Sequence, residues 1–240
     1  MGSIDWMIDE NIAVMTMNRG ENRFNLSFCE EMLAALDAIE SEERVNALVV
    51  TASDAKIWSN GMDLDWLKPA IAKKDPDVAA FFKLQDKLMR RMLFYPMITV
   101  AAVSGHAFAS GAIFACCFDF RFMRSDRGFL CFPEVDLNIP FLPYMTALVK
   151  KILPLPLVEE GELTGKRFAA AELEQCRAIR KSCAVNELMK EAKTFAKGLN
   201  KGRWIVSEMK KAMHQDIDDL ISHADEHRIS LNARLPKFMQ

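Results

Sequence analysis

The stretch that most constrains this chain is a long apolar run with no charged residue between Arg91 and Asp119. About 20 consecutive apolar residues are enough for a transmembrane helix, so its length alone permits a membrane span. Pro96, the β-branched residues at 98–100 and a Ser-Gly-His break divide the run. We therefore predict a short buried strand, a turn and a buried helix that begins near Ser110, and no membrane partner.

Small residues occupy most of the turn between this predicted strand and helix: Ala107, Ala109, Ser110, Gly111 and Ala112. A turn of small residues lets a ligand approach the backbone closely. The start of a helix leaves N–H groups unpaired, and these favour an oxygen that carries negative charge. The turn therefore predicts an oxyanion site.

Composition limits the classes of partner. With 240 residues, half of them hydrophobic, the chain can bury a full core in one large domain or in a domain with an appendage. A net charge of -2 gives no electrostatic reason to expect nucleic acid or a membrane surface, so the partner is expected to be small. The six cysteines show no metal-type spacing and the N-terminus shows no secretion signal, which favours buried, reduced thiols in a cytoplasmic protein.

The order of predicted elements indicates an α/β protein. A strand at 12–17, a capped helix at 27–41 and a strand at 46–51 suggest a crossover unit. The polar stretch 68–77 reads as a surface loop that leads to a helix over 77–94. Two short strand candidates, FRFM and GFLCF, follow Asp119, and from about residue 157 the pattern is helical.

The loop after the second predicted strand supplies another candidate turn. Gly61 can adopt backbone angles closed to other residues, and Asp63 can cap a following helix. Taken alone this is an ordinary turn, but with the Ala109-Ser110-Gly111 turn it can place two N–H groups on one substrate oxygen. Glu134 is the candidate base, because partial burial in its apolar stretch would raise its pKa. The alternative is that Glu134, which follows a proline, lies in a solvated turn.

Three other kinds of site fit the sequence less well. Ser110 with His106 as a hydrolase pair lacks the G-x-S-x-G elbow. His223 and His227 have helical metal-ligand spacing, but Glu226 is not where the metalloprotease motif requires it. Neither a dinucleotide fingerprint nor a phosphate-binding loop with Gly-Lys-Ser/Thr is present, so the sequence predicts no metal and no nucleotide site.

Several linked motifs resemble the enoyl-CoA hydratase/isomerase family, also called the crotonase family. The resemblance covers about residues 8–200, through IAVMTMNR, a capped helix, NALVVTAS, IWSNGMDLDWL, PMITVAAVSGHAFASG, FPEVDLNIP and LTGKRFAAAELEQCRAI. It implies an α/β spiral of strand-strand-helix turns over 1–175 and a C-terminal helical region over 176–240 used in oligomerisation, as a homotrimer or hexamer. It also implies an acyl-CoA thioester substrate, with CoA as part of the substrate and no separate cofactor.

The resemblance also implies roles for individual residues. The Met62 N–H matches one oxyanion donor, and Ser110 stands where the family usually has a glycine whose N–H is the other. Glu134 matches a family carboxylate. Substrate contacts are implied for segments 22–25 and 59–64 and for the glycine after Ser110: Arg23, Phe24, Asn25, Ser59, Asn60, Gly61, Asp63, Leu64 and Gly111.

One departure from the family pattern bears on the reaction. Family members that hydrate a double bond resemble one another in carrying a second Glu where this chain has Ile113. Hydration must orient a water and move a proton, whereas one carboxylate suffices to shift a double bond. The resemblance therefore implies a 3-enoyl-CoA to 2-enoyl-CoA isomerase with Glu134 as acid/base and Asp136 in reserve. Another acyl-CoA reaction, such as hydrolysis or decarboxylation, and a non-catalytic CoA-ester-binding subunit are the alternatives.

The C-terminal end is shorter than is usual in the family. This puts in doubt the basic residue that would lie near the CoA phosphates. Lys210, Lys211 and Lys237 are possible substitutes, although solvated surface lysines are the simpler interpretation.

Overall fold

The computed structural model describes residues 3–234. Its strands are β1 (Ile4–Asp9), β2 (Ile12–Met17), β3 (Ala47–Ala52), β4 (Ile57–Ser59), β5 (Ile98–Val103), β6 (His106–Phe108), β7 (Phe120–Arg124), β8 (Leu130–Cys131), β9 (Arg167–Phe168) and β10 (Lys181–Cys183). Its α-helices are α1 (Leu26–Glu40), α2 (Leu64–Ala72), α3 (Asp77–Leu93), α4 (Ser110–Cys117), α5 (Pro143–Ile152), α6 (Leu155–Thr164), α7 (Ala170–Gln175), α8 (Leu188–Leu199), α9 (Arg203–Met213), α10 (Gln215–Ser222) and α11 (Ala224–Arg234). A 3-10 helix covers Pro133–Val135.

Two sheets organise the chain. The larger has the order β1-β2-β3-β5-β7-β10 and is parallel except for the β1–β2 pair. The smaller has the order β4-β6-β8-β9, and only its β8–β9 pair is antiparallel. In the three central turns, β3 and β4, β5 and β6, and β7 and β8, the chain passes through a strand of the large sheet, a strand of the small sheet and then helix, which confirms the predicted strand-strand-helix spiral.

The apolar run contains the predicted strand and helix, β5 and α4, and the predicted turn between them holds a second short strand, β6, which was not predicted. Every residue of β5 and of α4 is buried, which explains why neither shows a polar face in the sequence. Among residues 3–234, no helix has both the length and the apolar character needed to cross a membrane.

Some elements differ from the sequence-based prediction. The stretch 68–77 is not wholly a loop, because α2 is capped by Asp63 and runs through Pro69 to Ala72. The helical interpretation after residue 157 misses β9 and β10, and β1 was not predicted. These strands are defined by pairing with β8, β7 and β2, and such tertiary pairing overrides weak local pattern.

The C-terminal region is attached closely to the core. β10 lies beyond residue 176 and completes the large sheet, and α8 packs against that sheet through Leu188, Ala192 and Ala196. The division at 175/176 stays a prediction. All six cysteines are free thiols and five of them are buried, as expected.

Candidate active site

The first turn of the site follows β4. Gly61 has a φ of +75°, and the Phe24 N–H donates to its carbonyl at 2.8 Å. The Asp63 N–H donates to Phe24 O at 2.9 Å, which completes a parallel bridge between Phe24 and Met62. In such a bridge the central residue's own N–H points away from the partner strand. The Met62 N–H is therefore directed to the side opposite Phe24.

The second turn joins β6 to α4. Ala109 has a φ of +51° and a ψ of -129°, a conformation that costs a non-glycine residue about 1–3 kcal/mol. Its carbonyl accepts from the Ile113 N–H at 3.0 Å, so the helix begins directly after it. The N–H groups of Ser110 and Gly111 belong to the first helical turn and have no intrahelical acceptor. Both residues are buried, so these donors lie in a protected environment.

The two turns contact each other backbone to backbone. A Cβ added to Gly61 would lie 2.9 Å from Phe108 O and 3.1 Å from Ser110 N, and one added to Gly111 would lie 2.6 Å from Ser59 O. The parallel pairing of β4 with β6 brings the ends of these strands to the same edge. The structure thus brings together the two turns that the sequence predicted as oxyanion donors.

Glu134 lies beside the second turn. β6 pairs with β8 through Phe108 and Cys131, and the Ala109 N–H donates to Cys131 O at 3.0 Å. The 3-10 helix that carries Glu134 begins two residues after Cys131. The short helix that carries Glu134 therefore starts at the edge of the small sheet where the second turn begins.

The environment of Glu134 suits a base. The residue is 6% exposed, so the alternative of a solvated turn is wrong. Burial, and to a smaller extent the negative charge of Glu162, raise the pKa of Glu134 from 4.5 to about 7, against the opposing effect of a backbone hydrogen bond. Its Oε2 is buried and has no hydrogen-bond partner among the described residues. Asp136, the reserve base, is exposed and lies against Gly165.

Some of the predicted substrate-binding residues line a cavity of about 200 Å³ near the first turn. Arg23 forms ion pairs of 2.6 Å with Glu21 and with Asp65, and Asn25 caps α1. Asn60 donates to Glu21 at the same edge, and Leu64 begins α2. The cavity is lined by Arg19, Glu21, Arg23, Asn25 and Asp63.

Other predicted contact residues support the turns through buried side chains. Phe24 is fully buried and packs edge-on against Phe28 and Phe114. Ser59 is also fully buried, and its hydroxyl donates to Asn22 O at 2.8 Å. The structure therefore assigns the side chains of Phe24 and Ser59 to the scaffold of the site.

Several competing sites find no support in the part of the chain that the structure describes. His106 packs between Phe108 and Phe129, its Nδ1 has no hydrogen-bond partner there, and it makes no bond to Ser110. No group of three or more His, Cys, Asp or Glu side chains able to hold a metal occurs in residues 3–234.

Of the three candidate lysines, the two that the structure describes are each paired with a carboxylate. Lys210 is 4% exposed and bonds Asp119 at 2.7 Å, so it is a buried structural residue. Lys211 is exposed and pairs with Glu208. Lys237 lies outside the described residues.

Sequence reasoning missed Glu162, which acts on Glu134, and Thr146, which binds Glu162. Glu162 on α6 and Thr146 on α5 are joined by a 3.0 Å hydrogen bond, and Glu162 acts on the pKa of Glu134. Glu162 stands in a charged stretch with Glu159 and Glu160, so no sequence pattern distinguishes it from solvated residues.

Comparison with protein families identifies one match. The model of the family described as enoyl-CoA hydratase/isomerase matches residues 7–236. Enoyl-CoA delta isomerase 3 of Arabidopsis thaliana is 36% identical over 132 residues, which is 54% of each chain. Peroxisomal enoyl-CoA delta isomerase 2 of the same plant is 34% identical over 159 residues, 64% of this chain and 65% of the relative. The match thus spans between about half and two thirds of these relatives.

Solved structures agree in fold. Human mitochondrial delta3-delta2-enoyl-CoA isomerase superposes with a TM-score of 0.88 at 19% identity, over 99% of this chain and 93% of that one. A probable enoyl-CoA hydratase of Mycobacterium tuberculosis also gives 0.88, at 20% identity over 97% of each chain. At such identities the likeness establishes the fold alone.

Proposed function

The chain belongs to the enoyl-CoA hydratase/isomerase family, and from that membership we propose that it is an isomerase that moves the double bond of a 3-enoyl-CoA to the 2-position. The observation that supports this proposal most strongly is Glu134, a buried carboxylate with one free oxygen, beside two converging turns. The similarity to enoyl-CoA delta isomerases of Arabidopsis supports an isomerase.

The proposed reaction begins at C2 of the substrate. Glu134 removes a proton from C2, and the electrons of that C–H bond move toward the thioester carbonyl, whose oxygen becomes negative. The Met62 and Ser110 N–H groups donate to this oxygen while the dienolate exists. When the dienolate collapses, C2 and C3 become doubly bonded and C4 takes the proton from Glu134. Atoms and charge balance without any further reactant.

Energetic considerations agree with this assignment. In known enzymes, removing one oxyanion donor raises the activation free energy by about 2.7–4 kcal/mol. A base that must both take and return a proton near neutral pH works best with a pKa near the operating pH. Burial has brought the pKa of Glu134 to about 7, which meets that condition.

Hydration of a 2-enoyl-CoA is the family reaction that this arrangement supports less well. Position 113 on α4 is an isoleucine that is 1% exposed, so that position supplies no carboxylate to orient a water. The isomerase proposal instead uses one base at both carbon atoms.

The proposal extends to substrate, assembly and location. The substrate is an acyl-CoA thioester, and the chemistry needs no metal or redox cofactor because it moves only a proton. The cavity beside Arg23 and Asn25 is the proposed entrance for the CoA portion. We also propose a homotrimer or hexamer in the cytoplasm; on α9, Trp204, Met209 and Met213 are each more than half exposed, which gives this helix an apolar surface for assembly.

The test is the conversion of 3-hexenoyl-CoA to the conjugated 2-enoyl isomer, followed by absorbance, for wild type, Glu134→Gln and Asp136→Asn. We expect turnover in wild type and in Asp136→Asn, and a loss on the order of 10²–10⁴-fold in Glu134→Gln. Crotonyl-CoA hydration is measured in parallel. Binding of a CoA ester without isomerisation would contradict the proposal and favour another acyl-CoA reaction or a binding subunit.

A further inference from the structure

Two carboxylates near the site keep a buried oxygen without a hydrogen-bond partner. Among the described residues, Glu134 Oε2 and Glu162 Oε1 are the only Asp or Glu oxygens in this condition. An unpartnered buried polar atom normally costs about 1–3 kcal/mol, and more when it carries charge. Two such oxygens on elements that pack against each other therefore call for a functional explanation.

The helix that carries Glu162 packs directly on the Glu134 turn. Gly161 lies on α6, and Gly165, four residues later, is the left-handed cap that ends the helix. A Cβ on Gly161 would approach the Phe132 ring at 3.3 Å, and one on Gly165 would lie 2.6 Å from the Asp136 carboxylate. The backbone at these two glycines thus closely approaches residues on both sides of Glu134. Glu162, which follows Gly161, therefore lies at the same interface.

Thr146 holds Glu162 from the neighbouring helix. Its hydroxyl donates to Oε2 of Glu162 at 3.0 Å, which fixes one oxygen and leaves Oε1 free. Glu162 is half-buried, and burial raises its own pKa, opposed by the Thr146 bond and by Lys150 on α5. The side chain is thus oriented, partly desolvated and adjacent to the proposed base.

We propose that Glu162 is a positioning residue of the site, a carboxylate held by Thr146 that keeps negative charge next to Glu134. It favours the protonated form of Glu134 and so makes the ionised form a stronger base toward C2. Its catalytic consequence depends on the proposed isomerase function. Its electrostatic effect on Glu134 does not.

Other charged or titratable groups around the two glutamates act on different partners. Asp136 shares the Glu134 turn, and Cys131 on β8 is influenced by Arg167 on β9 and by the carboxylates of Glu134 and Asp136. Lys150 acts on Glu162. Of these groups, Glu162 is the one whose charge raises the pKa of Glu134.

The test measures Glu134 directly in the free protein. Glutamate labelled with ¹³C at the carboxyl carbon is titrated by NMR, with the Glu134 signal assigned by its loss in Glu134→Gln. In Glu162→Gln the amide oxygen can still accept from Thr146, while the charge is removed. We expect the titration midpoint of Glu134 to fall by about 0.5 pH units or more. Glu159→Gln, which removes an exposed charge from the same helix, should leave it in place.

Kinetics provide the second readout. The acid limb of kcat/KM on 3-hexenoyl-CoA should move to lower pH in Glu162→Gln by the same amount, with a lower rate on the alkaline plateau because the base is weaker. An unchanged NMR midpoint in a folded Glu162→Gln protein would overturn the proposal. A shifted midpoint in a protein whose wild type does not isomerise 3-enoyl-CoA would overturn the proposed function and leave the role of Glu162 intact.

Discussion

Asp119 and Glu134 are two acidic residues that are largely removed from solvent, and their hydrogen-bond surroundings are opposite. Asp119, just before β7, accepts from both the N–H and the hydroxyl of Thr99 and from Lys210 at 2.7 Å. Glu134 keeps Oε2 buried and unpaired. A carboxylate that accepts hydrogen bonds from several donors holds structural elements together. A carboxylate with a free buried oxygen keeps a lone pair that can accept a proton from a substrate.

The two surroundings also differ in what they connect. Lys210 on α9 reaches the Asp119 carboxylate and donates to Met97 O at 2.9 Å, so it attaches a C-terminal helix to the start of β5. Burial lowers the pKa of Lys210, and Asp119 opposes that effect. Glu134 contributes no such bridge. Substitutions on the two sides should therefore change the free energy of unfolding in opposite directions.

The largest expected effect is the loss of stability in Lys210→Met. Removing one partner of a buried ion pair leaves an uncompensated charge, and we expect the free energy of unfolding to fall by about 3–4 kcal/mol. Lys211→Met, next to it on α9, removes an exposed charge and should change the value by less than about 0.5 kcal/mol. Equal losses in the two variants, measured by urea denaturation, would contradict the structural role of the buried Lys210–Asp119 pair.

Glu134→Gln should stabilise the protein by an amount that grows as pH rises from 4.5 to about 7 and then stays constant. Because the folded-state pKa is raised, the stabilising contribution of Glu134 is full below 4.5 and is lost as pH rises through about 7. At pH 8 the variant should exceed wild type by on the order of 3 kcal/mol, and at pH 4 the two should agree closely. Urea denaturation at both pH values measures the difference. A variant less stable than wild type at pH 8 would show that Glu134 is satisfied in solution.

The sequence revealed this site only in part. The two turns were predictable because glycine and small residues mark where backbones approach, and Glu134 because it stood in a mostly apolar stretch, with Asp136 as the second acid. The contact between Gly61 and the Ala109-Ser110 turn depends on β4–β6 pairing, which no local pattern specifies.

The same limit explains what was missed. β1, β9 and β10 exist through their partners, and Thr146 reaches Glu162 across a helix pair. Lys210 looked like a surface lysine because Glu208 and Lys211 stand beside it in the sequence, yet it is almost completely buried. Burial of a long charged side chain is decided by a tertiary partner, here Asp119, and such a partner is not visible in local sequence.

Gly111→Ala tests the tight contact on the catalytic side. Its Cβ would lie 2.6 Å from Ser59 O and 2.7 Å from the Ser59 hydroxyl, so the first turn of α4 must move away from β4. We expect a loss of about 1–3 kcal/mol in unfolding free energy. Gly198→Ala on α8 meets no atom within 4 Å and should instead gain up to about 1 kcal/mol. A gain in both variants would mean that the two turns are not in close contact.

The smallest expected effect concerns the strain at Ala109. Its φ of +51° disfavours alanine, so Ala109→Gly should relieve strain while it increases the entropy of the unfolded chain. The net change should be a gain of no more than about 1 kcal/mol. Ala38→Gly, at an exposed position inside α1, provides the contrast, since it has no strain to relieve and should lose about 1 kcal/mol. If urea denaturation finds equal losses for both, Ala109 is not strained. If only Ala109→Gly is neutral or stabilising, the turn that orients the Ser110 N–H contains backbone strain at Ala109. This strain would be a second energetic cost at the site, beside the burial of Glu134.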